Sequence, residues 1–231
     1  MLKLNYFNGR GMGETSRLIM AAANETYVDY RYPLKIIDWA THNMERPEFD
    51  ADQSTGKLWK SMGKVPFLNI GVDTVISQSK AIERYLAGRF NMMGSSAEEA
   101  ALIDSYCEYI RDFKTAYQRV KRKDDKEAAL KEWFEVTLPS KLKEFDVLLT
   151  RNTDFQDIPE TIIIPDKRFA VGGKLSLADI VIYSFLSDFF DNKEGVTNAC
   201  STCSTLKNIV KTVSENEYVN KWVETREQTA F

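Results

Sequence analysis

Histidine and cysteine are almost missing from this chain. Its 231 residues hold one histidine, His42, and three cysteines, Cys107, Cys200 and Cys203. Any catalysis of the Ser/His/Asp or Cys/His kind therefore has at most one possible base. His42 stands in a polar stretch and reads as a surface residue. Sparse, odd-numbered cysteines do not build a disulfide scaffold and fit a reducing, cytoplasmic setting. Cys200-Ser201-Thr202-Cys203 has C-x-x-C spacing, but it lies late, in a helical stretch, whereas the redox form of that motif sits early at a strand-to-helix junction. A structural zinc site takes about four ligands. Only Cys107 and His42 remain to complete one, both distant in sequence, so no metal is expected.

An excess of either charge is also lacking. Lysine and arginine number 31, aspartate and glutamate 34, for a net charge of -3. That balance leaves no electrostatic footprint for nucleic acid. The run Lys121-Arg122-Lys123 is followed at once by Asp124 and Asp125, which reads as a solvated helix end. No apolar run approaches the ~18 residues of a membrane span. MLKLNYF at the start has no basic region, apolar core and cleavage site in series, so no secretory signal is expected.

Periodicity supplies the architecture. Residues 2–7 (LKLNYF) predict a strand, 14–23 (ETSRLIMAAA) a helix and 27–32 (YVDYRY) a second strand, together a β-α-β unit with a parallel pair. Residues 40–62 read as loop with one or two helical turns. VPFLNI (65–70) and VIS (75–77) flank a turn and predict a hairpin. A helix follows over 79–90, with Ile82, Tyr85, Leu86 and Phe90 on one face. NMMGSS (91–96) is the predicted domain boundary. Beyond it Leu102, Tyr106, Ile110, Phe113, Tyr117 and Val120 recur at helical spacing, and so do Leu130, Phe134, Leu138, Leu142, Phe145 and Leu148, with Pro139 expected to kink the second helix. Residues 151–171 look irregular, and the run Ile162–Ile164 has no clear assignment. Leu175-Ser176-Leu177-Ala178-Asp179-Ile180 carries a capping box and a hydrophobic staple. Two shorter helices, near 204–214 and 217–227, end the chain.

LNYFNGRGMGE (4–14) ends a strand in Tyr6 and turns through Gly9, Gly11 and Gly13 into a helix. Those glycines do not match G-x-G-x-x-G, and no acidic residue follows at the next strand end, so a dinucleotide site is not expected. Asp104, Glu108 and Asp112 share one helical face. They read either as a solvated acidic stripe or as a surface that meets a cationic group.

Taken together, LNYFNGRG (4–11), Asp38-Trp39, MGKVPFL (62–68), SQSKAIERYLA (77–87), GGKLSLADIVIY (172–183) and Arg226-Glu227-Gln228-Thr229 resemble the cytosolic glutathione S-transferases. The resemblance is nearest to the sigma class, which includes glutathione-dependent prostaglandin D synthases. It implies a thioredoxin-like βαβ-ββα domain over 1–91 and an all-helical domain over 92–231 that contributes the hydrophobic substrate pocket. It further implies glutathione as co-substrate, small hydrophobic electrophiles as second substrates, and a cytoplasmic homodimer. By resemblance Tyr6 donates a hydrogen bond to the glutathione sulfur. Trp39, Asn43, Gly63 and Lys64 surround the rest of the peptide, with Lys64 at its glycyl end. Val65 pairs with its cysteinyl unit ahead of a cis Pro66. Gln78 and Ser79 hold its γ-glutamyl group, with Ser79 expected to cap the next helix. Asp112 of a partner subunit reaches its amine. Phe7, Met12 and Tyr106 are expected in the hydrophobic pocket.

Two positions depart from the sigma pattern: Met12 stands where an arginine is usual and Asn43 where a lysine is usual. Both departures weigh on prostaglandin isomerisation in particular. Three readings stay open: conjugation to electrophiles, glutathione-dependent isomerisation or peroxide reduction, and a non-catalytic ligand-binding or crystallin-like role.

Overall fold

The computed structural model describes residues 1–38, 43–151 and 168–229. Trp39, His42 and the isoleucine run 162–164 lie outside the described residues. Two compact units divide the chain, one made of Met1–Phe90 with Glu217–Phe231, the other of Asn91–Asn216.

The first unit opens with β1 (Leu2–Phe7), whose two-residue alternation puts Leu2, Leu4 and Tyr6 on one buried face. α1 (Glu14–Ala22) carries the chain back so that β2 (Tyr27–Tyr32) pairs parallel with β1, Tyr6 opposite Arg31. Next come two strands with no counterpart in the sequence reading, β3 (Lys35–Asp38) and β4 (Asn43–Glu45), paired antiparallel. They are short and polar, and Ile36 against Met44 is their one apolar pairing, so no period-2 signal marks them. α2 (Pro47–Ser54) starts with proline at its first position, where the missing N–H has no helical partner to lose. Phe49 anchors it in a cluster with Tyr32, Leu58 and Phe67.

β5 (Phe67–Ile70) and β6 (Thr74–Ser77) form the expected hairpin. β5 lies antiparallel to β1, and the sheet order is β2-β1-β5-β6. α3 (Ser79–Arg89) packs with α1, and Leu18, Ile19, Ile82 and Leu86 are fully buried. Each such side chain contributes about 1.5–3 kcal/mol of apolar burial.

The second unit is helical. α4 (Ala97–Val120) starts at Ser96, whose side chain accepts the Glu99 N–H, and buries Ile103, Tyr106, Ile110, Phe113 and Tyr117. The single helix expected over 126–150 is three pieces: α5 (Lys126–Glu132), a π-helical turn (Trp133–Thr137) and α6 (Leu138–Arg151). The cause is Pro139, which has no N–H and whose ring clashes with the carbonyl four residues back. The backbone widens just ahead of it, and the Leu138 N–H bonds to Trp133 instead.

α7 (Leu177–Ser187) is buried on all sides from Leu177 to Phe185, with the capping box formed as expected. Asp179 accepts the Ser176 N–H at 2.7 Å and the Ala170 N–H at 2.6 Å, so its fully buried carboxylate ties the helix start to the preceding loop. α8 (Lys193–Ala199), α9 (Ser204–Ser214) and α10 (Glu217–Thr225) follow. α8 is seven residues long and was missed by the sequence reading.

α10 departs from the expected division of domains, because it groups with the first unit. Its Trp222 indole N–H and the Arg226 guanidinium both donate to Glu14 of α1, at 2.9 and 2.7 Å. No helix among the described residues is long and apolar enough to cross a membrane.

Candidate active site

Three stretches meet at one end of the four-stranded sheet: the end of β1, the start of β5 and the end of β6. Asn5 faces Phe67, and Phe67 faces Ser77. Continuing that register sets Pro66 beside Tyr6 and leaves Gln78 just past the strand end. The Val65–Pro66 peptide is cis, the isomer that proline makes accessible. Val65 is half-buried against the Tyr32–Phe49 cluster, while Lys64 beside it is exposed.

Tyr6 is buried, and the turn after β1 folds directly over its ring. The backbone N–H of Met12 donates to the Tyr6 hydroxyl oxygen at 3.0 Å. A methyl group on Gly11 would stand 2.6 Å from that hydroxyl, and one on Gly13 would stand 2.8 Å from the ring carbon Cδ1. Real side chains do not tolerate such contacts, and Gly11 also has a positive φ of 34°. Glycine is therefore required at both positions by the tyrosine, in addition to shortening the turn.

Burial raises the Tyr6 pKa above its ordinary value of 10.0, against the opposing pull of the Met12 N–H and the Arg17 guanidinium. The phenol thus stays protonated at neutral pH. Its oxygen accepts from the backbone and keeps its own hydrogen to donate.

A buried ionic network holds the turn. The Arg17 guanidinium is fully buried and donates to the Gly9 carbonyl at 2.6 Å, to Asp29 at 3.1 Å and to Glu14 at 3.3 Å. Its carbon lies 5.9 Å from the centre of the Tyr6 ring. Arg31 binds Asp29 at 2.8 Å and Asn8 at 3.1 Å. Sequence reasoning missed Glu14, Arg17 and Asp29. The available signal was an arginine within an apolar helical pattern with a glutamate three residues before it.

Gln78, rather than Ser79, is the residue ahead of α3, which corrects the expected cap. Gln78 has a φ of 74° and no side-chain cap bond, and Ser79 is already the first helical residue. The left-handed turn at Gln78 feeds Ser79 straight into the helix, so the Ser79 side chain comes one position too late to cap it. The Ile82 N–H bonds to the Gln78 carbonyl at 3.0 Å, and the first-turn N–H groups of Ser79, Lys80 and Ala81 have no helical carbonyl to bind.

The other expected residues spread more widely. Gly63 has a φ of 67° and its carbonyl accepts from Gln53 at 2.8 Å. Asn43 is exposed on β4, and the Met12 side chain is 62% exposed. Phe7 points to the opposite strand face from Tyr6 and packs edge-on against Phe49, 5.1 Å between centroids. In the second unit, Tyr106 is buried against Phe145 and Asp112 is exposed on α4. A groove of about 720 Å³ in that unit is lined by Tyr117, Phe134, Pro139 and Asp191 among others, and holds none of the expected residues. Among the described residues no cluster of three metal-ligating side chains occurs.

Fold and site together define a thioredoxin-like domain with a tyrosine at the end of its first strand, followed by an all-helical domain. The glutathione S-transferase N-terminal domain family matches residues 2–88, and the corresponding C-terminal domain family matches residues 111–226. The chain belongs to the glutathione S-transferase family. It is 28% identical over 235 residues to glutathione S-transferase 1 of Ascaris suum, covering 99% of this chain and 98% of that protein. It is 31% identical over 178 residues to the hematopoietic prostaglandin D synthase of Gallus gallus, covering 77% of this chain and 73% of that protein. The solved pi-class glutathione S-transferase of Onchocerca volvulus has the same fold, with a TM-score of 0.75 at 24% identity, over 97% of this chain and 93% of that one. A further relative, the class-mu 28 kDa glutathione S-transferase isozyme of Schistosoma japonicum, is 29% identical over 203 residues, covering 85% of this chain and 84% of that protein. The relatives thus bear more than one class name.

Proposed function

We propose that this protein binds glutathione across the sheet end formed by Tyr6, Val65–Pro66 and Gln78–Ser79, and transfers its thiolate to small hydrophobic electrophiles. The observation that carries this reading is the Tyr6 hydroxyl, buried, kept protonated, and already accepting the Met12 N–H. A free thiol has a pKa of about 8.5, so the reactive thiolate is scarce at neutral pH. A donor aimed at the sulfur stabilises the charged form. Hydrogen bonds to charged groups contribute about 1.5–3 kcal/mol, which corresponds to a fall of roughly one to two pKa units. The N-terminus of α3 suits the γ-glutamyl carboxylate, because its backbone N–H groups and dipole favour an anion. Lys64 and Trp39 serve the glycyl end. In a cytoplasmic homodimer, Asp112 of the partner subunit meets the ammonium group.

The sigma-like resemblance and the similarity to the Gallus gallus prostaglandin D synthase favour a second reading, glutathione-dependent isomerisation. Met12 weighs against it, since no cationic side chain stands there to polarise the site.

Conjugation of glutathione to an aryl halide tests the proposal. The wild type is expected to turn over, and Tyr6→Phe to lose about tenfold or more in kcat at neutral pH while still retaining glutathione affinity. Equal turnover by the two proteins would refute the role of Tyr6. No turnover together with no glutathione binding would turn the reading to a non-catalytic protein, and product formed from a prostaglandin endoperoxide in place of the aryl conjugate would turn it to the isomerase.

A further inference from the structure

Cys200 and Cys203 are absorbed by nothing in this account. The structure places them at the two ends of one tight turn. Cys200 closes α8 and Cys203 is the residue ahead of α9, and the Cys203 N–H donates to the Cys200 carbonyl at 3.0 Å. Such an i to i+3 turn holds its terminal Cα atoms within about 7 Å, and disulfides span about 4.4–6.8 Å. Both thiols are free and buried, Cys200 at 7% exposure and Cys203 at zero. Of the two thiols, Cys203 is the more acidic and Cys200 the one that keeps its proton. Two charged groups flank the pair. Asp146 of α6 accepts the Leu206 N–H at 2.7 Å and opposes thiolate formation, whereas Lys207 of α9 favours it.

We propose that Cys200 and Cys203 are a reversible dithiol–disulfide pair, oxidised by hydrogen peroxide. Their sequence position argued against a redox motif, but their placement in the fold supplies what the chemistry needs: two buried thiols at the ends of one closed turn, within the Cα span of a disulfide. The thiolate, held chiefly on Cys203, attacks one peroxide oxygen. The O–O bond breaks, Cys203 becomes a sulfenic acid, and the departing hydroxide takes up the proton that Cys203 released. The Cys200 sulfur then attacks the sulfenic sulfur. The S–S bond forms, the S–O bond breaks, and the hydroxyl leaves with the Cys200 proton as water. In sum, two thiols and one peroxide give one disulfide and two waters. Cys203 is fully buried, so the reaction requires local opening of the α8–α9 turn to admit peroxide, which is close to water in size. The product fastens α8 to α9.

Mass spectrometry of the full-length protein tests this. The folded chain is exposed to hydrogen peroxide, denatured, alkylated with iodoacetamide and digested with trypsin. Both cysteines fall in one tryptic peptide, Glu194–Lys207. The expected result is loss of two hydrogens from that peptide with no alkylation, reversed by dithiothreitol, while Cys107 remains fully alkylated. Cys200→Ser and Cys203→Ser should each abolish the two-hydrogen loss. Full alkylation of both thiols, irreversible sulfinic acid without a disulfide, or a disulfide only between chains would each overturn the proposal.

Discussion

A glycine and a backbone N–H define the setting of the Tyr6 hydroxyl as much as the phenol does. Gly11 leaves room for the Tyr6 hydroxyl where a methyl would stand 2.6 Å away. Gly11→Ala is therefore expected to displace that hydroxyl and lower kcat for aryl-halide conjugation by about tenfold or more, a loss of roughly 1.4 kcal/mol in transition-state stabilisation. Met12 gives the opposite expectation. It contributes its N–H to Tyr6 and holds its side chain mostly in solvent. Met12→Ala keeps the N–H, so steady-state kinetics should stay within about twofold of wild type, the range of an ordinary surface substitution. The cis Val65–Pro66 peptide was expected only from the family resemblance, whereas the places of Tyr6 on the first strand and of Gln78–Ser79 at the start of a helix were legible in the sequence from local patterning. The contact of Gly11 and Gly13 with the tyrosine ring was not, because it depends on how the turn folds back over its own strand.

Among the elements, α9 shows how a helix can be capped from elsewhere in the chain. Its preceding residue, Cys203, makes no side-chain cap bond, and the Asp146 carboxylate on α6 accepts the Leu206 N–H instead. Asp146→Ala leaves that buried donor without an acceptor, which costs about 1–3 kcal/mol and should lower the urea midpoint. The charge itself acts in the other direction. Burial raises the Asp146 pKa above its ordinary 3.8, against the pull of the α9 N–H groups and Lys207. The native state therefore binds the proton more tightly than the unfolded state does. The stabilisation is complete below 3.8 and is lost as pH rises through the native value. Asp146→Asn keeps an acceptor and removes the titration, so urea unfolding at stepped pH should show this decline in the wild type and not in the variant. The long periodic elements β1, α1, α3, α4 and α9 were legible from spacing. β3, β4 and α8 were not, being three to seven residues long with little apolar pattern. At Pro139 the break was foreseen, but its form was not, because a π-turn just ahead of a proline leaves no mark in the apolar spacing.

For the whole molecule, order in sequence is not order in space. The last helix belongs to the first unit through Trp222 and Arg226 on the buried Glu14, and Glu14 in turn binds the Arg17 that holds the Tyr6 turn. Truncation after Asn216 should destabilise the first unit, since removing one partner of a buried ion pair costs about 3–5 kcal/mol. Native-state hydrogen exchange should then show faster exchange in β1 and α1 with little change in α7. The sequence reading placed this segment with the helical domain because its amphipathic pattern matches the helices before it, and Glu14 gives no sign of its distant partners. The central claim is that Tyr6 lowers the pKa of bound glutathione, and titration of the thiolate absorbance of the enzyme–glutathione complex tests it most directly. The account predicts a wild-type thiol pKa roughly one to two units below the free value of about 8.5, returning toward 8.5 in Tyr6→Phe. Coincident titration curves for the two proteins would contradict it.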